Sequence, residues 1–201
     1  RFVAHDYVEL TAHFACNLKC QHCMIEGTMD WLKPETTYRI EQVLALNAQE
    51  GRWKGLTLTG SEITLRADLP DLARRARACG FDHVRIQTHG MRLANADYCA
   101  ELVDAGVDEY FISVTAGDAP THDAITQVRG SFDKTLRGME NLDAYGHVAK
   151  QWQSVTVGTS TSAAFTASTS WAPVSGGAGG RAPVALPRSR STPAVRRPAA
   201  A

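Results

Sequence analysis

The sequence predicts an α/β fold in which a parallel sheet carries its helices on the outside. Two observations lead there. From Arg1 to about Gly146, short β-rich runs alternate four times with runs of helical period. Hydrophobic residues make up 44% of the 201, enough to fill the core of one domain.

Each element follows from local chemistry. Residues 7–14 read as a first strand, and a cysteine-bearing loop then leads to a helix over 37–49, on which Ile40, Val43, Leu44 and Ala48 form one apolar stripe. A second strand covers 56–59. Asp68 is placed as the N-cap of the next helix and Gly80 as its stop. A third strand follows at 84–88, a helix over 96–105 ends at Gly106, and a fourth strand covers 109–114. Ser131 is expected to cap a last helix that carries Leu136, Met139 and Leu142 and ends near Gly146. A fifth strand should begin within 147–157, but the pattern dissolves there.

Beyond Lys150 the composition changes abruptly. Ser, Thr, Ala, Gly, Pro and Arg dominate, with no acidic residue, and such a segment buries too little apolar area to offset chain entropy. Two segments are therefore expected: residues 1–150 as the folded core, and 151–201 as a disordered or frame-shifted tail, a functional tail being the alternative. The formal net charge of zero hides the same division. All 21 acidic residues lie at or before Asp143, whereas Arg181, Arg188, Arg190, Arg196 and Arg197 stand in the tail.

Nothing resembles a folded nucleic-acid-binding surface, no apolar run is long enough to span a bilayer, and no signal peptide opens the chain. A cytoplasmic protein without nucleic-acid or membrane partners is expected. The chain starts on Arg1 almost within a strand, so the native N-terminus is expected upstream. Five cysteines, three of them clustered, suit a reducing compartment and metal ligation better than disulfides. Cys79 and Cys99 read as small core residues. Trp31 and Trp53 read as packing or as the mouth of a substrate site.

Cys16, Cys20 and Cys23 fall within eight residues. Three thiolates on one short loop can hold three irons of a four-iron four-sulfur (4Fe-4S) cluster and leave the fourth iron without a protein ligand. The same loop with His13 or His22 as fourth ligand would make a zinc site, and an iron–sulfur site can also serve electron transfer alone. Functional groups of parallel βα folds gather where the strands finish. Here the strands run into the cysteine loop, into Thr59-Gly60-Ser61-Glu62, into Gln87-Thr88-His89-Gly90, and into Ser113 and Thr115.

The three-then-two cysteine spacing resembles the radical S-adenosylmethionine (radical SAM) superfamily, with His22 in the aromatic position before the last cysteine. Gly60-Ser61-Glu62 resembles that family's Gly-Gly-Glu motif, which contacts the amino group of S-adenosylmethionine, and Glu62 would add a charge-assisted bond. Ser61 replaces the second glycine, at a cost of roughly 1 kcal/mol if positive φ is required, and Ile63 stands where proline often follows. Thr88-His89-Gly90 resembles the family's Thr-Asn-Gly turn; His89 reads equally as a ligand or as the left-handed residue of the turn. Ser113 resembles the strand-four serine that reaches the cofactor's ribose or carboxylate. His122-Asp123-Ala124-Ile125 with Gly130-Ser131-Phe132 resembles a stretch of members that modify peptides or build cofactors, and Arg129 takes the place of a proline.

The resemblance implies a partial (βα) barrel of the radical SAM type, with four of the usual six units recognisable, so that the core reads as truncated after the fourth. It implies a 4Fe-4S cluster on Cys16, Cys20 and Cys23, and S-adenosylmethionine held by Gly60, Ser61, Glu62, Ser113 and His22. The activity implied is reductive cleavage of S-adenosylmethionine to a 5′-deoxyadenosyl radical that takes hydrogen from a peptide or small-molecule cofactor precursor, with a flavodoxin- or ferredoxin-type reductant and no separate acid–base residue. The alternative is a non-catalytic iron–sulfur or zinc-binding fragment.

Overall fold

The computed structural model describes residues 6–23, 25 and 34–154. Trp31 and the tail beyond Ser154 lie outside the described residues. Five strands, β1 (Tyr7–His13), β2 (Gly55–Gly60), β3 (His83–Thr88), β4 (Glu109–Val114) and β5 (Ala149–Ser154), form one sheet. All adjacent pairs are parallel and the spatial order is the chain order, β1-β2-β3-β4-β5. Right-handed crossovers that always step in one direction deliver every helix to the same face and every strand's C-terminal end to the same edge. This is barrel-type winding.

The crossovers contain α1 (Thr37–Glu50), α2 (Leu69–Ala78), α3 (Ala96–Asp104), and the pair α4 (Ala119–Thr126) and α5 (Ser131–Asp143). The core lies between sheet and helices: Leu56, Leu58, Val84, Ile86 and Ile112 meet Ile40, Leu44, Leu72, Leu102 and Leu142, and all are buried. Residues 55–59 of β2 are buried without alternation, as expected of a strand covered on both faces. Cys99 is buried in α3, and Cys79 is half-buried at the end of α2. Trp53 packs against the core.

The sequence expectations hold for four strands and four helices, and the structure adds two elements. A fifth strand pairs in parallel with β4 from Glu109↔Ala149 to Val114↔Ser154, so the sheet continues past the fourth unit. Helix α4 begins where Asp118 accepts from the backbone N–H of Thr121 at 2.9 Å. Some expected caps take other roles. Asp68 makes no side-chain cap bond and pairs with Arg66 at 2.6 Å, whereas Asn95 caps α3 through the N–H of Tyr98 at 3.0 Å.

Gly130, and not Ser131, occupies the N-cap position of α5. The Ser131 hydroxyl donates to Asp123 Oδ1 at 2.9 Å, and it lies 3.0 Å from His122 Nδ1 and 2.7 Å from Thr126 Oγ1. Asp123 also accepts from the backbone N–H groups of Gly130 at 2.5 Å and Phe132 at 3.0 Å. A carboxylate thus closes the N-terminus of α5 from the preceding helix, where the helix dipole favours negative charge. Helix α5 in turn lies so close to the turn after β3 that a Cβ on Gly138 would stand 2.5 Å from the Gly90 carbonyl oxygen. Thr135 Oγ1 donates to His89 O at 2.8 Å across the same contact.

Partial burial works to raise the Asp123 carboxyl, but the N–H groups of Phe132 and Gly130 and the Ser131 hydroxyl outweigh it and hold it down at about 2. A carboxyl depressed on folding contributes stability that is complete above its unfolded value, about 3.9, and is lost as pH falls through the folded one. The urea midpoint of Asp123→Asn is therefore expected to lie below that of the native chain at pH 7, with the gap closing between pH 4 and 2. A gap that stays constant over that range would refute the clasp.

Candidate functional site

The cysteine loop leaves β1 at a register shift between Thr11 and His13 and is held on two sides. On the β2 side, Ser61 N–H donates to His13 O at 2.9 Å and Glu62 N–H to Ala15 O at 3.1 Å. On the α4 side, Lys19 N–H donates to Thr126 O at 3.0 Å and Gln21 N–H to Ile125 O at 2.9 Å. A turn from Cys23 N–H to Cys20 O at 3.0 Å closes the loop. These bonds bring Cys16, Cys20 and Cys23 to one cavity of about 530 Å³, a size typical of small-molecule sites.

Three strand ends and α4 supply the other walls. Gly60 and Ser61 follow β2; Gln87, Thr88 and His89 end β3; Ser113, Val114 and Thr115 end β4; His122 and Thr126 come from α4. Of the sequence-derived candidates, His22, Gly60, Ser61, Ser113 and the three cysteines therefore share one cavity. Positive φ is carried by Gly60, at 151°, and not by Ser61. A Cβ on Gly60 would stand 1.8 Å from His13 O, so the motif's first position needs glycine and its second takes serine without strain. The turn after β3 likewise places its positive φ on Gly90, at 80°, so His89 is not a left-handed turn residue. Arg129 is exposed and does not border the cavity.

Glu62 does not border the cavity. It is 0% exposed. Its Oε1 accepts from Thr64 N–H at 3.0 Å and from the hydroxyls of Thr64 and Thr88 at 2.5 Å. Its Oε2 accepts from His89 N–H at 2.8 Å, with His89 Nε2 at 3.1 Å. Protein donors meet both oxygens, so the Glu62 carboxylate is turned beneath the cavity in this structure.

Two polar atoms on the cavity wall have the opposite character. Thr115 Oγ1 and His22 Nδ1 are buried without a protein partner, although buried polar groups are nearly always paired. Atoms of this kind fit a cavity that takes a polar ligand. Burial pushes the Cys16 thiol up, while the Leu18 N–H at 3.4 Å from its sulfur works the other way. Among the described residues no three His, Cys, Asp or Glu side chains form a ready-made ligand group for a metal ion. A 4Fe-4S cluster asks each cysteine to meet a different iron, and Cys16, Cys20 and Cys23 all border the one cavity.

The sequence model of the Radical SAM superfamily matches residues 12–159. This chain belongs to the radical SAM superfamily. Among curated proteins it is similar to the probable GTP 3′,8-cyclase of Thermoplasma volcanium, 37% identical over 134 residues that cover 65% of this chain and 39% of that protein. The probable GTP 3′,8-cyclase of Metallosphaera sedula is 32% identical over 143 residues, 69% of this chain and 43% of that protein. The chain spans about two-fifths of the length of these relatives. Among solved structures, one described as native anSMEcpe with bound AdoMet matches with a TM-score of 0.56 at 18% identity, over 73% of this chain and 43% of that one. The parallel sheet with alternating helices is thus a partial radical SAM fold.

Thr115 is a site residue that sequence reasoning left unassigned, and His89 one that it read equally as a ligand or as the left-handed residue of a turn. Their signal was position, since each directly follows a strand, but only the structure shows one hydroxyl without a partner and one imidazole with several. Opposite responses are expected from the two kinds of buried polar group. In the apo protein, Thr115→Val should raise the stability measured by urea unfolding by about 1 kcal/mol, because it removes an unpaired hydroxyl. Glu62→Ala should lower it by at least ~3 kcal/mol, because it strips several buried donors of their acceptor. A destabilised Thr115→Val or a neutral Glu62→Ala would contradict these assignments.

Proposed function

We propose that this chain is the cofactor-binding part of a radical SAM enzyme, with Cys16, Cys20 and Cys23 holding a 4Fe-4S cluster and the adjoining cavity taking S-adenosylmethionine. The observation that carries this reading is the meeting of the three thiols with Gly60, Ser61, Ser113 and the unpartnered Thr115 hydroxyl around one cavity. When bound, the cluster and S-adenosylmethionine supply a 5′-deoxyadenosyl radical through one-electron cleavage that also gives methionine, the electron coming from a flavodoxin- or ferredoxin-type reductant.

The chain's own residues bind and orient. Gly60 has no side chain between the β2 end and the cavity, so backbone can approach a ligand closely there. Ser113, Thr115 and His22 offer hydroxyl and imidazole atoms to the ribose, carboxylate or adenine of the cofactor. Leu18, Ile25 and Val114 give the walls an apolar part that excludes water. No acid or base is asked of these residues, since hydrogen abstraction requires none.

For the substrate, we propose a guanine nucleotide. The similarity to proteins named GTP 3′,8-cyclase supports it. The peptide or cofactor-precursor reading rested on the stretch from His122 to Phe132, in which Asp123, Gly130, Ser131 and Phe132 bond to one another in the clasp between α4 and α5.

Reconstitution with iron and sulfide without oxygen, followed by dithionite and S-adenosylmethionine with and without GTP, tests the proposal. We expect about four irons per chain and release of 5′-deoxyadenosine that is lost in Cys20→Ala. Thr115→Val should retain the cluster while weakening S-adenosylmethionine binding roughly 2–10-fold, the worth of one neutral hydrogen bond. Zinc uptake in place of iron, or a cluster fully retained in Cys20→Ala, would overturn the ligand assignment.

A further inference from the structure

His89 is a buried imidazole, 8% exposed, that the proposed function does not use. Its hydrogen bonds define its tautomer. Met91 N–H points to Nδ1 at 3.2 Å, which makes Nδ1 an acceptor and leaves the proton on Nε2. The Nε2–H lies 2.7 Å from Asn17 Oδ1 and 3.1 Å from Glu62 Oε2. Asn17 is the residue after Cys16. Glu62 is anchored by Thr64 and Thr88 beneath the strand ends, and Thr135 of α5 holds the His89 carbonyl from behind. One rigid side chain thus joins the buried carboxylate under β2 and β3 to the exposed loop that carries the cysteines.

We propose that His89 is a positioning residue for the cluster loop, acting through Asn17 to fix where Cys16 presents its sulfur. This inference rests on the reading that the three cysteines hold a cluster. The argument is geometric. The backbone bonds that tie the loop to other elements act at residues 13, 15, 19 and 21. Between Cys16 and Leu18 the loop makes an internal bond, Leu18 N–H to Cys16 Sγ at 3.4 Å, and the bond from His89 to Asn17 is the tether that joins this stretch to another element. Partners of metal-binding loops set ligand orientation, and their loss typically costs about 10–100-fold in metal affinity or activity. An asparagine at position 89 would place its amide nitrogen near the Nδ1 position of the imidazole, too short to reach Asn17. A glutamine nitrogen reaches about as far as Nε2.

The test uses the full chain reconstituted without oxygen, with iron release to a chelator and the electron paramagnetic resonance spectrum of the reduced cluster as readouts. His89→Ala and Asn17→Ala are each expected to speed iron release about 10-fold and to shift the spectrum in the same way. The double variant should be no faster than either single one, as for two residues acting through one contact. His89→Gln should return both readouts toward native and His89→Asn should not. Additive losses in the double variant, native behaviour in either single variant, or failure of His89→Gln to rescue would overturn the inference. Asn17 is exposed, so its substitution keeps the test open if His89→Ala lowers the stability of the fold. Absence of an iron cluster in the unsubstituted chain would instead refute the cluster reading itself.

Discussion

A carboxylate sealed from water at the end of β2 sets the geometry above the sheet. Burying a charge is costly unless donors meet it, and the donors that meet Glu62 come from Thr64, Thr88 and His89. Those residues belong to the turn after β2 and to the end of β3, so satisfying one side chain forces two strand ends into register with each other. The Glu62 N–H extends the constraint to the end of β1 through Ala15 O. Neither of the walls built from Gly60, Ser61, Gln87 and Thr88 could shift alone without stranding a buried acceptor or donor.

The same constraint explains what could and could not be read in the sequence. The four strands, the helices between them and the grouping of three thiols on one loop were legible, because alternation, helical period and cysteine spacing are local patterns. The inward contacts of Glu62 were not. Its place in the motif suggested a ligand contact, and no local pattern distinguishes a carboxylate aimed at a cavity from one turned beneath it. For His89 the two alternatives stayed open for a related reason: only the φ values show that Gly90 makes the left-handed step, leaving the imidazole free to bridge. Helix α4 escaped notice because it is 8 residues long and carries proline in its first turn, and the fifth strand, expected within 147–157, lost its pattern there because Ala149, Lys150 and Gln151 interrupt the apolar alternation. Both elements are fixed by their neighbours, α4 by the clasp to α5 and β5 by its ladder to β4.

Helix α4 shows how stability and function share one element. Its side chains Asp123 and Thr126 serve the clasp to α5, its carbonyls at Ile125 and Thr126 hold the cysteine loop, and His122 faces the cavity. Burial lowers the pKa of His122, although the Asp123 carboxylate beside it works to raise it. The clasp is therefore more than a helix cap. Loosening it would move the outer wall of the cavity and the far side of the loop together.

The two ends of the sheet divide the remaining work. At the N-terminal end, Arg85 Nη2 donates to Glu109 Oε1 at 2.8 Å, Gln151 Nε2 donates to the same oxygen at 2.9 Å, and the Arg85 guanidinium lies 5.3 Å from the centre of the Tyr7 ring. These groups tie β1, β3, β4 and β5 to one another. At the C-terminal end, glycine, serine, threonine and cysteine replace the charged pairs, and Thr115 Oγ1 and His22 Nδ1 keep unpaired polar atoms on a cavity wall. Unpaired groups cost stability in the empty protein, and these two stand on the cavity wall at the edge where the strands finish. The buried Glu62 network beneath that edge keeps the walls in place, so the polar atoms that lack partners stay aimed at the cavity and do not collapse onto one another.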